Sequence, residues 1–249
     1  ASIPFCLSTV SACSIDEVRA GVNNPIWFQL YMIRDRGFLR EMLARAKAAG
    51  TNTLLFTVDM PVPATRYRDM RSGLSGGSLW QRKLTRVGQV LTRPHWAWDV
   101  GLLGRPHSLG NIAPILGDNA GIDEFWSWLG ANFDPTVTWA DIDRIRAEWD
   151  GQFIIKGILD ADDARQAKTI GCDGLIVSNH GGRQLDGALS SIKALPRIAD
   201  AVGDDLSLIL DSGVRSGLDI VRAMALGAKM VMIGRPWVYA LAARQKRGV

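Results

Sequence analysis

The feature that most constrains the fold is a regular alternation of short apolar runs with amphipathic segments. Seven runs have the length of a strand, and each is apolar along its length instead of alternating in polarity. They are Ile3 to Ser8, Ile26 to Met32, Thr53 to Asp59, Phe153 to Ile158, Leu175 to Asn179, Leu206 to Asp211 and Met230 to Gly234. Continuous apolar runs are typical of strands buried on both faces of a parallel sheet.

The segments between these runs carry helix start and stop signals. Residues 35–50 and 160–171 open on an aspartate and end on a glycine, and residues 216–227 open on a serine and end on a glycine. Strands alternating with helices form right-handed βαβ units, so the fold is either a doubly wound sheet or a (β/α)₈ barrel. A closed barrel needs eight strands and seven are visible, so we expect the sequence to be a segment of a longer protein.

Length and composition fit one domain, residues 1–249, because (β/α)₈ barrels typically run near 250 residues. No stretch of about 18 uninterrupted apolar residues is present, so no membrane-spanning helix is expected. The three cysteines have neither metal-ligand spacing nor a CxxC pattern, and the first residues do not resemble a secretion signal. These features favour a cytoplasmic protein. A net charge of +4 is too small to predict a nucleic-acid partner.

Residues 70–132 interrupt the alternation and read as a basic, tryptophan-rich insertion in the barrel. A helix over Leu79 to Arg93 would place one apolar face opposite one basic face. The apolar face holds Trp80, Leu84, Val87 and Leu91, and the opposite face holds Arg82, Arg86, Gln89 and Arg93. Such a helix either lies on an anionic membrane surface or packs on its own barrel with a solvated basic face.

In barrels the functional face is the carboxyl end of the strands, and two glycine-containing loops there predict an anion site. Asp211 to Gly217 and Ile233 to Arg235 follow the last two strands. Glycine lets the backbone approach a phosphate, and arginine adds a charge-assisted hydrogen bond. The predicted phosphate contacts are Gly213, Arg215, Gly234 and Arg235; the alternative is that these glycines only make turns.

Lys156 follows two isoleucines inside a predicted strand, which is a costly position for an ammonium group unless it meets negative charge. It is therefore either a member of a structural ion pair or an amine that stabilises negative charge on a bound cofactor or substrate.

His180 and Arg183 stand just beyond another apolar run, separated by two glycines. Histidine can take up a proton near neutral pH, and a guanidinium group can bind a carboxylate through two parallel hydrogen bonds. Together with Tyr31 and Asp59 at other strand ends, and with Arg66, they predict a catalytic base beside an anion clamp, with Asp59 orienting the imidazole. No serine elbow is present, and His95 and His107 lack ligand spacing, so neither a hydrolase nor a metal site is predicted.

These motifs resemble those of the FMN-dependent L-2-hydroxy acid dehydrogenases and oxidases. The segment "SNHGGRQLD" is similar to the active-site motif of that family, and "WFQLY", "TVD", "IKGI", "DSGVRSG" and "IGRP" follow in family order. The longer stretches "WAWDVGLLGRPHSLGNI" and "NFDPTVTWADI" resemble one subgroup, the bacterial membrane-associated L-lactate dehydrogenases. The resemblance covers essentially the whole chain.

The resemblance implies a role for each candidate residue. His180 matches the catalytic base and Asp59 its carboxylate partner. Arg66 and Arg183 match the arginines that hold the substrate carboxylate, and Tyr31 matches a substrate hydrogen-bond donor. Residues that match flavin contacts are Ser8, Gln29, Thr57, Lys156, Ser178 and Asp211, with Lys156 beside the ring where it stabilises the reduced form; those that match phosphate contacts are Gly213, Arg215, Gly234 and Arg235.

The resemblance also implies a TIM barrel that binds FMN and oxidises L-lactate or a related 2-hydroxy acid. The first barrel strand and the terminal helices of the family have no match in this sequence. Electrons would pass to quinone at the cytoplasmic face of the inner membrane, to which the protein would bind peripherally, and a homo-oligomer is expected. The alternatives are an oxygen-using oxidase such as glycolate oxidase, an L-mandelate dehydrogenase, a non-flavin phosphate-binding barrel and an inactive membrane-surface module.

Overall fold

The centre of the molecule is a parallel sheet of seven strands in a computed structural model that describes residues 3–60, 66–73, 77–104, 109–117, 122–244 and 247. The strands are β1 (Cys6–Ser8), β2 (Trp27–Tyr31), β3 (Thr53–Thr57), β4 (Gln152–Ile158), β5 (Gly174–Val177), β6 (Ser207–Leu210) and β7 (Met230–Val231). Each overlaps one predicted run, so the seven predicted strands are confirmed.

Neighbouring strands pair in the order of the sequence, and every pair is parallel. This is the strand order of a (β/α)₈ barrel. Within the described ranges β1 and β7 are the edge strands, so the sheet is a partial barrel. The predicted barrel class is confirmed, and the doubly wound alternative is wrong because no strand pairs out of sequence order among the described residues.

The described helices include those that cover the outer side of the sheet and those of the long segment between β3 and β4. They are α1 (Ile15–Ala20), α2 (Arg36–Ala48), α3 (Tyr67–Arg71), α4 (Leu79–Thr92), α5 (Pro94–Trp96), α6 (Ala113–Leu116), α7 (Ile122–Asn132), α8 (Trp139–Glu148), α9 (Ala161–Thr169), α10 (Ser191–Val202), α11 (Gly217–Ala225) and α12 (Arg235–Arg244), with a π-helical turn at Ala97–Leu102. The predicted starts of three helices are confirmed: Asp35, Asp160 and Ser216 each accept a backbone N–H from the first turn.

The alternation of side chains along each strand divides the core into two parts. Outward-facing residues form the larger part, which packs the sheet against the helices. A smaller group, Leu55, Ile154, Ile176 and Ile209, faces the inside of the curved sheet. Side chains two residues further along face the same way, because strand side chains alternate between the two faces. At those positions the residues are polar: Thr57, Lys156, Ser178 and Asp211. The inner face is therefore apolar at its floor and polar at its carboxyl end.

The end of the segment that separates β3 from β4 returns to the carboxyl end of β2. Ile33 and Phe133 form an antiparallel bridge, and Arg36 forms an ion pair with Asp134 at 2.5 Å. The ring of Phe133 lies 4.9 Å from that of Tyr31. These contacts place the last residues of the segment beside a candidate site residue. The assignment of residues 70–132 as an insertion within a single domain stays a prediction.

Candidate active site

His180 and Asp59 form a hydrogen-bonded pair at the carboxyl ends of β5 and β3. His180 Nδ1 lies 2.8 Å from Asp59 Oδ1. Burial alone would raise the pKa of Asp59, but the hydrogen bond from His180 and the charge of Lys156 outweigh it and hold this pKa below its usual value. The ionised carboxylate only accepts hydrogen bonds, so Nδ1 carries a hydrogen and Nε2 of a neutral ring is left as a base.

The loop that carries His180 has an uncommon backbone. His180, Gly181 and Gly182 all have positive φ angles, of 57°, 71° and 67°. The left-handed conformation is costly for histidine, and such strain is often found at functional sites. Ser178 Oγ accepts the N–H of His180 at 3.0 Å, which helps to hold the loop. Asn179 Oδ1 accepts the N–H of Gly181 at 3.0 Å and of Gly182 at 3.2 Å.

Lys156 lies between two carboxylates on the inner face of the sheet. Its Nζ is 3.4 Å from Asp59 Oδ2 and 3.6 Å from Asp211 Oδ2, and it donates to Ser178 Oγ at 3.1 Å. The same atom lies 3.5 Å from His180 Nδ1, but both atoms carry hydrogens, so this approach is not a hydrogen bond. The structural ion pair considered from the sequence is thus present, and it joins three candidate residues.

Gly157 makes room for Asp59, and sequence reasoning did not identify it. The pairing of β4 with β5 shifts register between Lys156 and Ile158, and Gly157 has a φ of 111° at that point. A Cβ atom at Gly157 would lie 2.6 Å from Asp59 Cβ and 2.9 Å from Asp59 N. Glycine therefore permits a close approach that places the Asp59 carboxylate between His180 and Lys156.

A chain of hydrogen bonds joins the inner faces of β1, β2 and β3. Ser8 Oγ donates to Gln29 Oε1 at 2.9 Å, and Gln29 Nε2 donates to Thr57 Oγ1 at 2.9 Å. Thr57 is the register partner of Lys156 on the next strand.

Burial and the charge of Asp59 raise the pKa of Tyr31, so its phenol stays protonated and can donate a hydrogen bond.

Arg66 and Arg183 meet at a carboxylate that the sequence did not single out. Asp69, in helix α3, places Oδ2 3.4 Å from Arg183 Nη2 and 3.9 Å from Arg66 Nη1. Arg66 also donates to Gln184 Oε1 at 3.0 Å. Burial and the charge of Arg183 lower the pKa of Arg66, which remains cationic. In the sequence Asp69 lies in a short run of charged residues, and Gln184 lies within the segment "SNHGGRQLD" without a predicted role of its own.

The two glycine-containing loops line a cavity of about 760 Å³, a size typical of small-molecule sites. Around Gly213 and Gly234 no atom would lie within 4 Å of an added Cβ, so their backbones face open space. The guanidinium group of Arg235 reaches the His180 loop, since a Cβ at Gly181 would lie 2.5 Å from Arg235 Nη2. Candidate residues that line this cavity are Lys156, His180, Arg183, Asp211, Gly213, Arg215, Gly234 and Arg235.

The remaining candidates are not among the described residues that line this cavity. Asp59 and Ser178 contact Lys156, while Tyr31 and Thr57 line a second cavity of about 330 Å³ next to Phe133 and Trp139. Ser8 and Gln29 reach the site through the hydrogen-bond chain ending at Thr57. Two histidines are not predicted to bind a metal: His95 lies in helix α5, and His107 lies outside the described residues.

Comparison with known proteins gives consistent similarities. The family model described as FMN-dependent dehydrogenase matches residues 1–249. The chain is 60% identical over 247 residues to an L-lactate dehydrogenase of Caulobacter sp. (strain K31) and 59% identical to one of Stenotrophomonas maltophilia (strain K279a), covering 99% of this chain and 64% of each relative. The chain thus spans about 64% of the length of these relatives.

Solved structures agree on the fold. The crystal structure of the monotopic membrane protein (S)-mandelate dehydrogenase matches with a TM-score of 0.88 and 34% identity, covering 99% of this chain and 64% of that one. A mandelate oxidase structure matches with a TM-score of 0.77 and 36% identity, covering 100% of this chain and 61% of that one. Both matches extend over essentially the whole of the present chain.

Proposed function

The chain belongs to the family of FMN-dependent dehydrogenases, and on that premise we propose that it oxidises L-lactate, or a related L-2-hydroxy acid, to the 2-oxo acid. One observation carries this proposal. His180 and Arg183 line the same cavity as the two glycine-containing loops, and Asp59 is hydrogen-bonded to His180, so a candidate base, a candidate carboxylate-binding group and a candidate anion site face one space. The names of the curated relatives favour L-lactate as the substrate.

The residues of the cavity fit FMN. The open space around Gly213 and Gly234, with Arg215 and Arg235 beside them, suits a phosphate group bound by backbone N–H groups and guanidinium groups. Ser8, Gln29 and Thr57 present a line of polar atoms that suits the edge of a flavin ring. Further contacts are proposed for Lys156, Ser178 and Asp211. When bound, FMN accepts two electrons from the substrate.

The chain's own side chains bind the substrate and move a proton. Arg66 and Arg183 would hold the carboxylate through charge-assisted hydrogen bonds. The protonated phenol of Tyr31 would donate to a substrate oxygen. His180 Nε2 would take up a proton from the substrate, either from the hydroxyl group or from C2, because both routes need a base at the same place. Asp59 would hold the ring in the required tautomer through its hydrogen bond to Nδ1. Lys156 Nζ lies 3.4 Å from the other oxygen of that carboxylate.

We propose a quinone as the electron acceptor and the cytoplasmic face of the inner membrane as the location. Helix α4 supports the membrane part of this proposal. Its apolar residues face outward: Trp80 is 76% exposed, Leu84 70% and Leu91 75%. On the opposite face Arg86 donates to Gly73 O at 3.0 Å and Gln89 to Ser72 O at 2.8 Å, so these side chains contact the turn that precedes the helix.

This orientation is the reverse of the usual arrangement for a surface helix, in which the apolar side faces the protein. It disagrees with the alternative in which the helix packs on its own barrel and leaves its basic face to solvent. The ammonium group of Lys83 lies 5.7 Å from the centre of the Trp80 ring, so positive charge stands beside the exposed apolar surface. That combination suits a helix that lies on an anionic bilayer. Within the described ranges no helix is long and apolar enough to cross a membrane.

Flotation with vesicles containing about one third anionic lipid tests this location. We expect the chain to float with the vesicles and to lose most of that association when Trp80 and Leu91 are both replaced by serine. Leu218→Ser is the matched control, because Leu218 is also exposed but lies in helix α11, outside the segment. No association at low salt, or equal loss in the control, would refute a membrane role for this helix.

The enzymatic proposal is tested by loading the chain with FMN, removing free flavin, and measuring dye reduction with L-lactate, glycolate and L-mandelate. We expect bound FMN and the highest kcat/KM for L-lactate. Highest activity with L-mandelate would favour a mandelate dehydrogenase, and rapid turnover with oxygen alone would favour an oxidase. A chain that retains no FMN would support a non-flavin phosphate-binding barrel, and bound FMN without any turnover an inactive membrane-surface module. The predicted homo-oligomer is tested separately by sedimentation velocity.

A further inference from the structure

Arg66 and Arg183, two cations, both lie near the carboxylate of Asp69, and this arrangement indicates a function for Asp69. Two guanidinium groups close to each other repel, because both are positively charged. This repulsion opposes a preformed carboxylate site made of Arg66 and Arg183 in the absence of substrate. Asp69 Oδ2 lies 3.4 Å from Arg183 Nη2 and 3.9 Å from Arg66 Nη1. Its carboxylate, with only 18% of the side chain exposed, offsets that repulsion from a position between the two arginines.

The contact distances leave the arginines free to bind a second carboxylate. Neither contact is the short bidentate pair that arginine forms with a dedicated carboxylate partner, for which distances of about 2.7–2.9 Å are usual. Each guanidinium group has five N–H donors, and Asp69 approaches one nitrogen of each. Most N–H donors of the two arginines therefore remain for a ligand. Asp69 is placed to hold the two arginines together without using up the donors that would bind a substrate carboxylate.

Two elements of the fold are joined by these contacts. Arg66 and Asp69 belong to the segment after β3, whereas Arg183 and Gln184 belong to the loop after β5 that also carries His180. Gln184 Oε1 accepts a hydrogen bond from Arg66 Nη2 at 3.0 Å, which adds a second link between the two elements. The clamp and the base are thereby kept in one spatial relation.

We propose that Asp69 is a positioning residue that holds Arg66 and Arg183 together as one binding site for the carboxylate of the substrate. The inference rests on the proposed function, since the clamp is assigned to a 2-hydroxy acid. Asp69 does not touch the substrate in this account. It acts through the two arginines, and its charge is required for that action.

The test compares Asp69→Asn and Asp69→Glu with the FMN-loaded wild-type chain. Asp69→Asn removes the charge, so we expect KM for L-lactate to rise about ten-fold or more while kcat changes by less than about three-fold, because the carboxylate is held equally in ground state and transition state. Asp69→Glu keeps the charge and should recover much of that loss. The control is Asp205→Asn, which removes a carboxylate paired with Lys168 at 2.6 Å, outside the site, and should leave KM unchanged.

Calorimetric titration of each flavin-loaded variant with oxalate supplies a readout that does not depend on turnover. We expect weaker oxalate binding in Asp69→Asn, with a melting temperature close to that of the control. An unchanged KM in Asp69→Asn would overturn the proposal. A lower KM would overturn it as well, because Asp69 would then compete with substrate for the arginines. Oxalate binding that depends on Asp69, in a chain that does not oxidise lactate, would keep the positioning role and refute the proposed substrate. A wild-type chain that binds no oxalate would refute both.

Discussion

Replacing Gly157 by alanine should damage the candidate site through Asp59, without touching any proposed ligand contact. The added Cβ would lie 2.6 Å from Asp59 Cβ, whereas carbon atoms in contact are normally about 3.5–4.0 Å apart. Relief of the clash requires a displacement of about 1 Å. The bond between Asp59 Oδ1 and His180 Nδ1 is 2.8 Å long and would not survive such a shift.

The expected size of the effect follows from that displacement. A misplacement of about 1 Å near reacting groups can lower turnover by about 10²-fold. The φ of 111° at Gly157 adds strain for any other residue, so we expect the free energy of unfolding to fall by about 3 kcal/mol from strain and overpacking together. Turnover would be followed by dye reduction with L-lactate, and unfolding by urea denaturation.

Gly171→Ala is the matched control for backbone strain. Gly171 also has a positive φ, of 73°, but a Cβ there would meet no atom within 4 Å. We expect this variant to lose about 1 kcal/mol of stability and no turnover. In a double-mutant cycle, Gly157→Ala should cost little in a chain that already carries Asp59→Asn, because both changes act on the same hydrogen bond. Full turnover in Gly157→Ala, or additive losses in the cycle, would show that Gly157 does not act through Asp59.

Three further predictions concern the same cluster. His180→Gln should lower turnover with L-lactate by about 10²-fold while the absorbance of bound flavin stays unchanged, and undiminished turnover would remove His180 from the mechanism. Lys156→Met leaves two partly buried carboxylates without their cation, so urea denaturation should show a loss of about 3 kcal/mol in the free energy of unfolding; no loss would show that these ion pairs do not stabilise the fold. Folding lowers the pKa of Asp59, so its ionised carboxylate stabilises the fold above the unfolded pKa of about 3.9, and this stabilisation is lost as pH falls through the lower folded pKa. Urea unfolding midpoints measured from pH 6 down to pH 2 should therefore fall less in Asp59→Asn than in the wild type.

Much of the fold and most of the candidate site could be predicted from residue types in sequence. Strands buried on both faces leave continuous apolar runs, and the polar residue that ends each run marks the carboxyl edge. Lys156 is unusual because it lies inside such a run, and His180 because it stands just beyond one. The three helix starts were predictable because Asp35, Asp160 and Ser216 are residues whose side chains cap helices.

The parts that could not be predicted depend on contacts between distant segments. Gly157 matters because a register shift brings Asp59 against its backbone, and no local pattern reports that. Asp69 lies in a short run of charges, which in a sequence is indistinguishable from a solvated surface. The outward apolar face of helix α4 was likewise undetermined, since an amphipathic pattern shows that two faces differ but does not show which one meets the protein.

Anaerobic mixing of the FMN-loaded chain with L-lactate shows whether this site oxidises a 2-hydroxy acid at its flavin. We expect the flavin absorbance to bleach, with about one pyruvate formed per flavin, and D-lactate to leave the absorbance unchanged. We expect His180→Gln to bind the same amount of FMN but to bleach about 10²-fold more slowly. A loaded chain whose flavin is not reduced by L-lactate, or is reduced equally fast without His180, would contradict the claim.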